Sequence, residues 1–313
     1  MYRTPLIFPD RASPCRHKDY MVDKSNKTYF RPTLWCISLF ALGITIGCRK
    51  SLHEAIKSSD LATLKRLLSN GANVNAVDGE GNTPLHVAAT IGRRDAAELL
   101  IDAGANLEAK DNYGFTPLHV AARNSYWGTG VAQFLISKGA NIDATTPLRK
   151  LTTLHFAAEG GDPNLIELLV QKGADINAVD KHHYTPLLWA VAWNQHDQSK
   201  SVEALLRAGA DVLIESELGL NPLDEAILAD NEPIAKLLIV ALGPNARDES
   251  GQTILHRAIR MHNLKIVDFL VLNGADVNAQ DNQGNTPLYV AINYIRDKAI
   301  IALLVSNGAR TGN

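Results

Sequence analysis

Apolar positions recur along this chain in two alternating clusters, and both clusters return about every 33 residues. Leu85 with Ala88-Ala89 is spaced for the buried face of a short helix, and Leu99-Leu100 give a second helix its apolar stripe. The phrase that opens the first cluster, Thr83-Pro84-Leu85-His86, comes back as Thr116-Pro117-Leu118-His119. Looser copies stand at Leu154-His155, Thr185-Pro186-Leu187, Asn221-Pro222-Leu223, Thr253-Ile254-Leu255-His256 and Thr286-Pro287-Leu288, with a degenerate first copy at Leu52-His53. A second phrase follows each cluster pair: Gly71-Ala72-Asn73, Gly104-Ala105-Asn106, Gly139-Ala140-Asn141, Gly173-Ala174-Asp175, Gly209-Ala210-Asp211, Gly274-Ala275-Asp276 and Gly308-Ala309. The pattern predicts an all-α array of helix-turn-helix units joined by hairpin-like loops.

Each phrase has a mechanical reason. Thr83 is a good N-cap, because its hydroxyl can accept from a free backbone N–H one turn on. Pro84 then sits at the first helical position, where its missing N–H costs nothing. Ala88-Ala89 keep the first helix thin, so the next unit can approach. Gly104 ends the second helix by taking a left-handed conformation. The polar stretch 106–114 is a turn into the next unit. One such unit cannot bury its apolar face alone, whereas a stack of them makes a continuous core. At the head of the array Lys50 occupies the Thr slot, so Ser51 and Glu54 are expected to form a capping box one residue late.

These residues resemble the ankyrin repeat, whose units open on Thr-Pro-Leu-His-x-Ala-Ala and close on Gly-Ala-Asp-x-Asn. The resemblance runs from about Arg49 to Asn313, in about eight units keyed on His53, His86, His119, His155, Leu188, Asp224, His256 and Tyr289. It implies a solenoid that binds other proteins and has no catalytic residues of its own. Several departures are visible. Lys150 and His183 stand where glycine opens the other hairpins. Extra residues fall between the paired helices at 123–130 and 193–200. The stretch from Gly243 to His256 is short, so that hairpin is expected to be clipped.

Ahead of the array lies an uncharged apolar run, 34–48, preceded by Lys24, Lys27 and Arg31. Basic region, apolar region and small residues in that order read as a secretory signal peptide. The run is too short for a comfortable membrane span, which takes about 20 residues. Ile44-Thr45-Ile46-Gly47-Cys48 looks like the lipobox of bacterial lipoproteins, in which cleavage leaves a lipidated cysteine, here Cys48. The organisation expected is a start called too early or a disordered extension at 1–20, a signal peptide at 21–47 and the repeat domain at 48–313. That places the chain in the bacterial envelope, on the periplasmic side, held to the membrane by lipid. A single-span anchor and a cytoplasmic chain are the other readings.

Composition narrows the partner. The chain has 313 residues, 46% of them hydrophobic, enough for a sizeable core. Residues 1–47 hold 7 of the 31 Lys+Arg and 3 of the 33 Asp+Glu, which leaves the repeats 24 basic against 30 acidic residues, net −6. A mildly acidic solenoid without a basic stripe argues against nucleic acid. None of the three cysteines, Cys15, Cys36 and Cys48, lies within the repeats. The repeat histidines form a row one unit apart and serve their local turns, not a metal or a catalytic set. Asp224 occupies the histidine slot of its unit and reads as a cap. His182-His183 read as an exposed polar tip, and no cofactor or metal is expected.

The aromatic residues are the better lead. Trp189 and Trp193 are four apart and share a helix face. Tyr126 and Trp127 lie in a lengthened turn two units earlier, and Arg123 and Glu159 occupy the variable positions of the inner helices. Trp, Tyr and Arg dominate binding hot spots. The candidate protein-binding set is therefore Arg123, Tyr126, Trp127, Glu159, Trp189 and Trp193, although Trp189 can also continue a packed row with Val120 and Phe156. The function expected is a non-catalytic interaction scaffold. Inhibition of a toxin or envelope enzyme, and stabilisation of a membrane complex, are its alternatives.

Overall fold

The computed structural model describes residues 50–124, 128–192 and 198–312. Residues 1–20, the expected signal peptide at 21–47, Cys48, Tyr126, Trp127 and Trp193 lie outside the described residues.

Among the described residues the chain forms helix pairs. They are α1 (Leu52–Lys57) with α2 (Leu61–Ser69), α3 (Pro84–Thr90) with α4 (Arg94–Asp102), α5 (Pro117–Arg123) with α6 (Thr129–Ser137), and α7 (Thr153–Gly160) with α8 (Pro163–Gln171). There follow α9 (Pro186–Ala192) with α10 (Ser199–Arg207), α11 (Pro222–Leu228) with α12 (Glu232–Leu242), and α13 (Ile254–Arg260) with α14 (Leu264–Leu272). The last pair is α15 (Pro287–Val290), continued by a π-helical turn at Ala291–Ile295, with α16 (Lys298–Ser306). Each first helix packs on the next first helix, and each second helix on the next second helix, giving two parallel layers. The core lies between them. Leu85, Leu118, Leu154, Leu187, Leu223 and Leu255 meet Leu100, Leu135, Leu169, Leu205, Leu238 and Leu270, all buried.

The caps are those the sequence asks for. The Thr83 hydroxyl accepts from the His86 N–H, and Pro84 opens α3. At the head of the array the Ser51 hydroxyl accepts from the Glu54 N–H, and the Glu54 carboxylate accepts from the Ser51 N–H at 3.0 Å. Polar side chains also join successive units. The Asn75 amide oxygen accepts from the Asn106 N–H at 2.8 Å, and Asn177 and Asn278 do the same for Asp211 and Arg310.

The histidine slot reaches further than its own turn. In α3 the His86 Nδ1 accepts from the Thr83 N–H at 3.2 Å, which leaves the ring proton on Nε2. Nε2–H then donates to the Phe115 carbonyl of the next unit, 2.9 Å away. The same bond joins His53 to Asn82, His155 to Tyr184 and His256 to Asn285, while His119 reaches Ala144 instead. Burial pushes the imidazoles of His86, His155 and His256 below their ordinary range, and that of His119 down to about 4.

Asp224 keeps half of the pattern. Its carboxylate accepts from the Asn221 N–H at 3.1 Å, so the cap survives. In place of a carbonyl one unit on, it meets the guanidinium of Arg257, whose Nε lies 3.1 Å from Oδ1. Arg257 also donates to Glu215 at 2.8 Å, Asp248 at 3.2 Å and the Gly219 carbonyl at 3.1 Å. Burial opposes its charge, but the Asp224 and Glu215 carboxylates outweigh that and hold it above its ordinary value.

Between α5 and α6, and between α9 and α10, the connection is longer than between α3 and α4, as the sequence suggests. The hairpin before His256, by contrast, is not clipped. The Asp248 N–H donates to the Gln252 carbonyl at 3.0 Å, as Asp111 does to Phe115. The shortfall lies at the end of α12, where Leu242 stands in the place of Gly104. Leucine cannot readily take the left-handed stop, so the helix runs on to 11 residues and ends before Gly243.

The histidine row predicts an acid-sensitive fold. Above pH 6.5 the imidazoles are neutral in both states and stability is full. As the pH falls from about 6.5 towards 4 the unfolded chain takes up protons that the buried rings refuse, so stability declines; below about 4 the contribution of His119 levels off. Urea titrations across this range should show the loss, by up to about tenfold in the unfolding constant per pH unit per histidine. His119→Gln should make the slope shallower, and equal slopes in the two proteins would remove His119 from this role.

Candidate protein-binding surface

The residue after the histidine slot forms a second row, on the hairpin side of the first-helix layer. It runs Val87, Val120, Phe156, Trp189, Glu225, Arg257, Val290. In the middle units this row is aromatic and packed. Phe156 stands edge-on to Phe115 at 5.3 Å and close to the His119 ring. Trp189 stands edge-on to His155 at 6.2 Å. Its indole N–H donates to the Asp180 carboxylate at 3.3 Å, and the Arg149 guanidinium lies 5.2 Å from its ring centre.

Trp189 is thus not a surface anchor. It is 4% exposed, and its four-residue spacing from Trp193 does not give it access to solvent, because Arg149 and His155 cover it. Next along, Glu225 accepts from the Tyr184 hydroxyl at 3.3 Å. Burial, with Glu225 beside it, pushes the Tyr184 phenol up to about 12.

The variable inner positions do face outward. Arg123 and Glu159 pair across adjacent units, Nε to Oε1 3.1 Å, with side chains 35% and 21% exposed. The two helices approach closely here, since a Cβ on Gly160 would lie 2.6 Å from the Ala122 carbonyl oxygen. The floor is tied by side chains: the Asn124 amide donates to the Thr90 carbonyl, and Gln198 donates to the Glu159 carbonyl at 3.0 Å. A half-exposed pair of this kind adds little stability, about 0–1 kcal/mol. Further along, Leu228 and Tyr294 are exposed, and the Arg260 guanidinium lies 5.8 Å from the Tyr294 ring centre.

The hairpin tips form the rim. Tyr113 and Leu148 are exposed there, 49% and 75%. The tips abut one another: a Cβ on Gly114 would meet Pro147 Cδ at 2.3 Å, and the Lys181 N–H donates to the Arg149 carbonyl at 2.7 Å. His182 is half-buried against Glu217, Nδ1 to Oε2 3.0 Å, and His183 is exposed.

A surface hollow of about 180 Å³, open solvent included, is lined by Ala226, Ile227, Asp230, Asn231 and their neighbours on α12 and α14. It is smaller than the 300–1,000 Å³ typical of small-molecule sites. Among the described residues no group of three His, Cys, Asp or Glu side chains is placed to hold a metal ion, and no helix is long and apolar enough to cross a membrane.

Comparison with known proteins agrees with this architecture. The family model for ankyrin repeats in three copies matches residues 52–146, 129–216, 195–281 and 223–313. The chain is 28% identical over 287 residues to the transient receptor potential cation channel subfamily A member 1 of Drosophila melanogaster, covering 84% of this chain and 21% of the channel. It is 29% identical over 229 residues to an ankyrin repeat protein of Acanthamoeba polyphaga mimivirus, covering 70% and 29%. It is 29% identical over 165 residues to ankyrin repeat and SOCS box protein 6 of Homo sapiens, covering 50% and 31%. The chain thus spans between a fifth and a third of the length of these curated relatives.

The placement of Trp189 makes a direct prediction. Trp189→Ala should destabilise the fold by about 3–5 kcal/mol, the cost of emptying a core aromatic site. Denaturant unfolding measures it. A variant with unchanged stability would return Trp189 to the surface.

Proposed function

This chain belongs to the ankyrin-repeat family, and from that premise we propose that it is a non-catalytic scaffold that binds another protein across the inner helices and hairpin tips of its middle units. Ankyrin repeats mediate protein–protein interaction. The observation that carries the reading is a set of apolar and charged groups on one open face, although Val240, Leu272 and Val305 are exposed on the second-helix layer as well. Tyr113, Leu148, Arg123 and Glu159 line the open rim and face of the middle units, while the aromatic row behind them is packed. An open face with scattered anchors suits a macromolecule better than an enclosed ligand. Tyr126, Trp127 and Trp193 join this surface on the sequence argument alone.

Photo-crosslinkers placed at Thr90 and Asn124, on the inner face, and at Glu98 and Glu203, on the second-helix layer, test the reading. A partner captured from the inner positions only supports it; capture from the outer positions only would reverse the face. Trp193→Ala should weaken the complex by about 2 kcal/mol or more with melting nearly unchanged. Lost stability with affinity retained would take Trp193 off the surface.

The membrane reading rests on the leader. We propose that the mature chain starts at a lipidated Cys48 on the periplasmic side of a bacterial envelope, with the solenoid close to the membrane because Ser51 already caps α1. Inhibition of an envelope enzyme or toxin is one form such binding can take. Cys48→Ser should block processing and release the chain from membranes, since acyl chains hold by about 0.8 kcal/mol per buried CH₂. An unmodified terminus at Met1 or Met21 on protein that stays in solution would overturn the anchor.

A further inference from the structure

The hairpin tips differ in charge along the array. Asp78 with Glu80, Glu215 with Glu217, Asp248 and Glu249 beside Arg247, and Asp281 give the outer tips an acidic character, while the Lys110-Asp111 tip is balanced. The two middle tips instead carry Arg149-Lys150 and Lys181-His182-His183. This reversal sits in repeats whose net charge is −6.

The middle tips are also built differently. Lys150 and His183 have φ of 56° and 60°, the left-handed region, at positions that Gly81, Gly114, Gly219, Gly251 and Gly284 fill elsewhere. Side chains there are held against the local conformational preference. Both are exposed, and neither the Lys150 nor the Lys181 ammonium has an ion-pair partner among the described residues. The nearby acids are engaged: Asp180 is buried against Trp189 and Arg149, and Glu217 holds His182. Contact between successive tips makes one strip, from Tyr113 through Pro147-Leu148 to Lys150, Lys181 and His183.

We propose that this strip docks a short acidic segment of the partner protein, with Lys150 and Lys181 taking its carboxylates and Leu148 and Tyr113 an apolar side chain next to them. The proposal rests on the protein-binding reading above and names the chemistry of its partner. The acidic tips at Asp78 and Glu80, one unit before Tyr113, and at Glu215 and Glu217 limit the length of the segment. They would repel a nucleic acid or an anionic membrane laid along the rim, whereas a brief acidic stretch ends before it meets them.

The test is selection of a random-peptide phage library on the full chain, followed by fluorescence polarisation with the selected peptides. Acidic peptides carrying one or two large apolar residues should be enriched. Lys150→Glu with Lys181→Glu should weaken them by about tenfold or more without shifting the melting temperature, and added salt should weaken them too. Lys150→Gly with His183→Gly should leave the fold intact and also lose affinity, which separates docking from folding. Enrichment of peptides without acidic residues, or affinity indifferent to the charge reversal, overturns the acidic strip and leaves the protein-binding reading standing. No enrichment at all counts against both. Binding of a polyuridine oligonucleotide or of phosphatidylserine vesicles that is lost in the double charge reversal, with no peptide bound, would reassign the patch to a polyanion.

Discussion

A backbone carbonyl at the entrance to each unit needs a second donor, and the stack depends on how it is supplied. The Phe115 carbonyl already accepts from the Asp111 N–H inside its own hairpin at 3.0 Å. Its other lone pair faces the preceding unit, where His86 donates from Nε2. The ring can do so because the Thr83 N–H occupies Nδ1 and fixes the tautomer. One side chain therefore caps its own helix and binds the next unit. Burying it costs solvation of the charged form, which is why the imidazoles stay neutral. Nearest-neighbour bonds of this kind are what a quasi-one-dimensional stack has in place of long-range contacts.

Where the slot is not histidine, the junction is remade. Leu188 is buried and gives the next carbonyl no donor, so that junction relies on packing, on the Glu217 N–H bond to the His182 carbonyl, and on the bonds of Asn177 to Asp211 and of Tyr184 to Glu225. Asp224 keeps the cap and recruits Arg257 from one period away, which ties three segments through Asp224, Glu215 and Asp248. In the last unit Tyr289 fills the slot, and the Thr286 hydroxyl turns to the Arg310 carbonyl at 2.8 Å. A buried ion pair is weak evidence for stability, because desolvation offsets its attraction. Its value here is positional: it holds register at a junction without the histidine.

Most of the fold was legible because local signals and period agreed. Thr83-Pro84, Gly104 and the Ser51–Glu54 box act within one turn, and a reader of sequence can see one turn. What could not be read was partner choice one unit away. The reach of the histidines to the next carbonyl is invisible unless the period is laid across the hairpin. Asp224 and Arg257 are 33 residues apart, so the same overlay would have found them. Trp189 was half legible. Its place beside Phe156 in a repeating row pointed to the core, while its spacing from Trp193 pointed outward. The cover that Arg149 and His155 provide comes from the preceding unit and decides it. Leu242 shows the remaining kind of miss: a missing glycine can lengthen a helix and spare the hairpin.

Several irregular features gather in the middle of the array: long connections between α5 and α6 and between α9 and α10, leucine in the slot, an aromatic row, and side chains in left-handed tips at Lys150 and His183; the extended α12 and the π-helical turn at Ala291–Ile295 lie beyond it. Interior units have a neighbour on each face, so a local loss at one junction is supported from both sides. Terminal units have no such support, and α1 accordingly begins on a complete capping box. Binding side chains gain from this placement. Held on a rigid two-layer frame, they lose little conformational freedom when a partner arrives, and more of the contact energy remains as affinity. The middle of a repeat array is where departure from the repeat is best tolerated, and this chain places its long connections, its aromatic row and its glycine-free tips there.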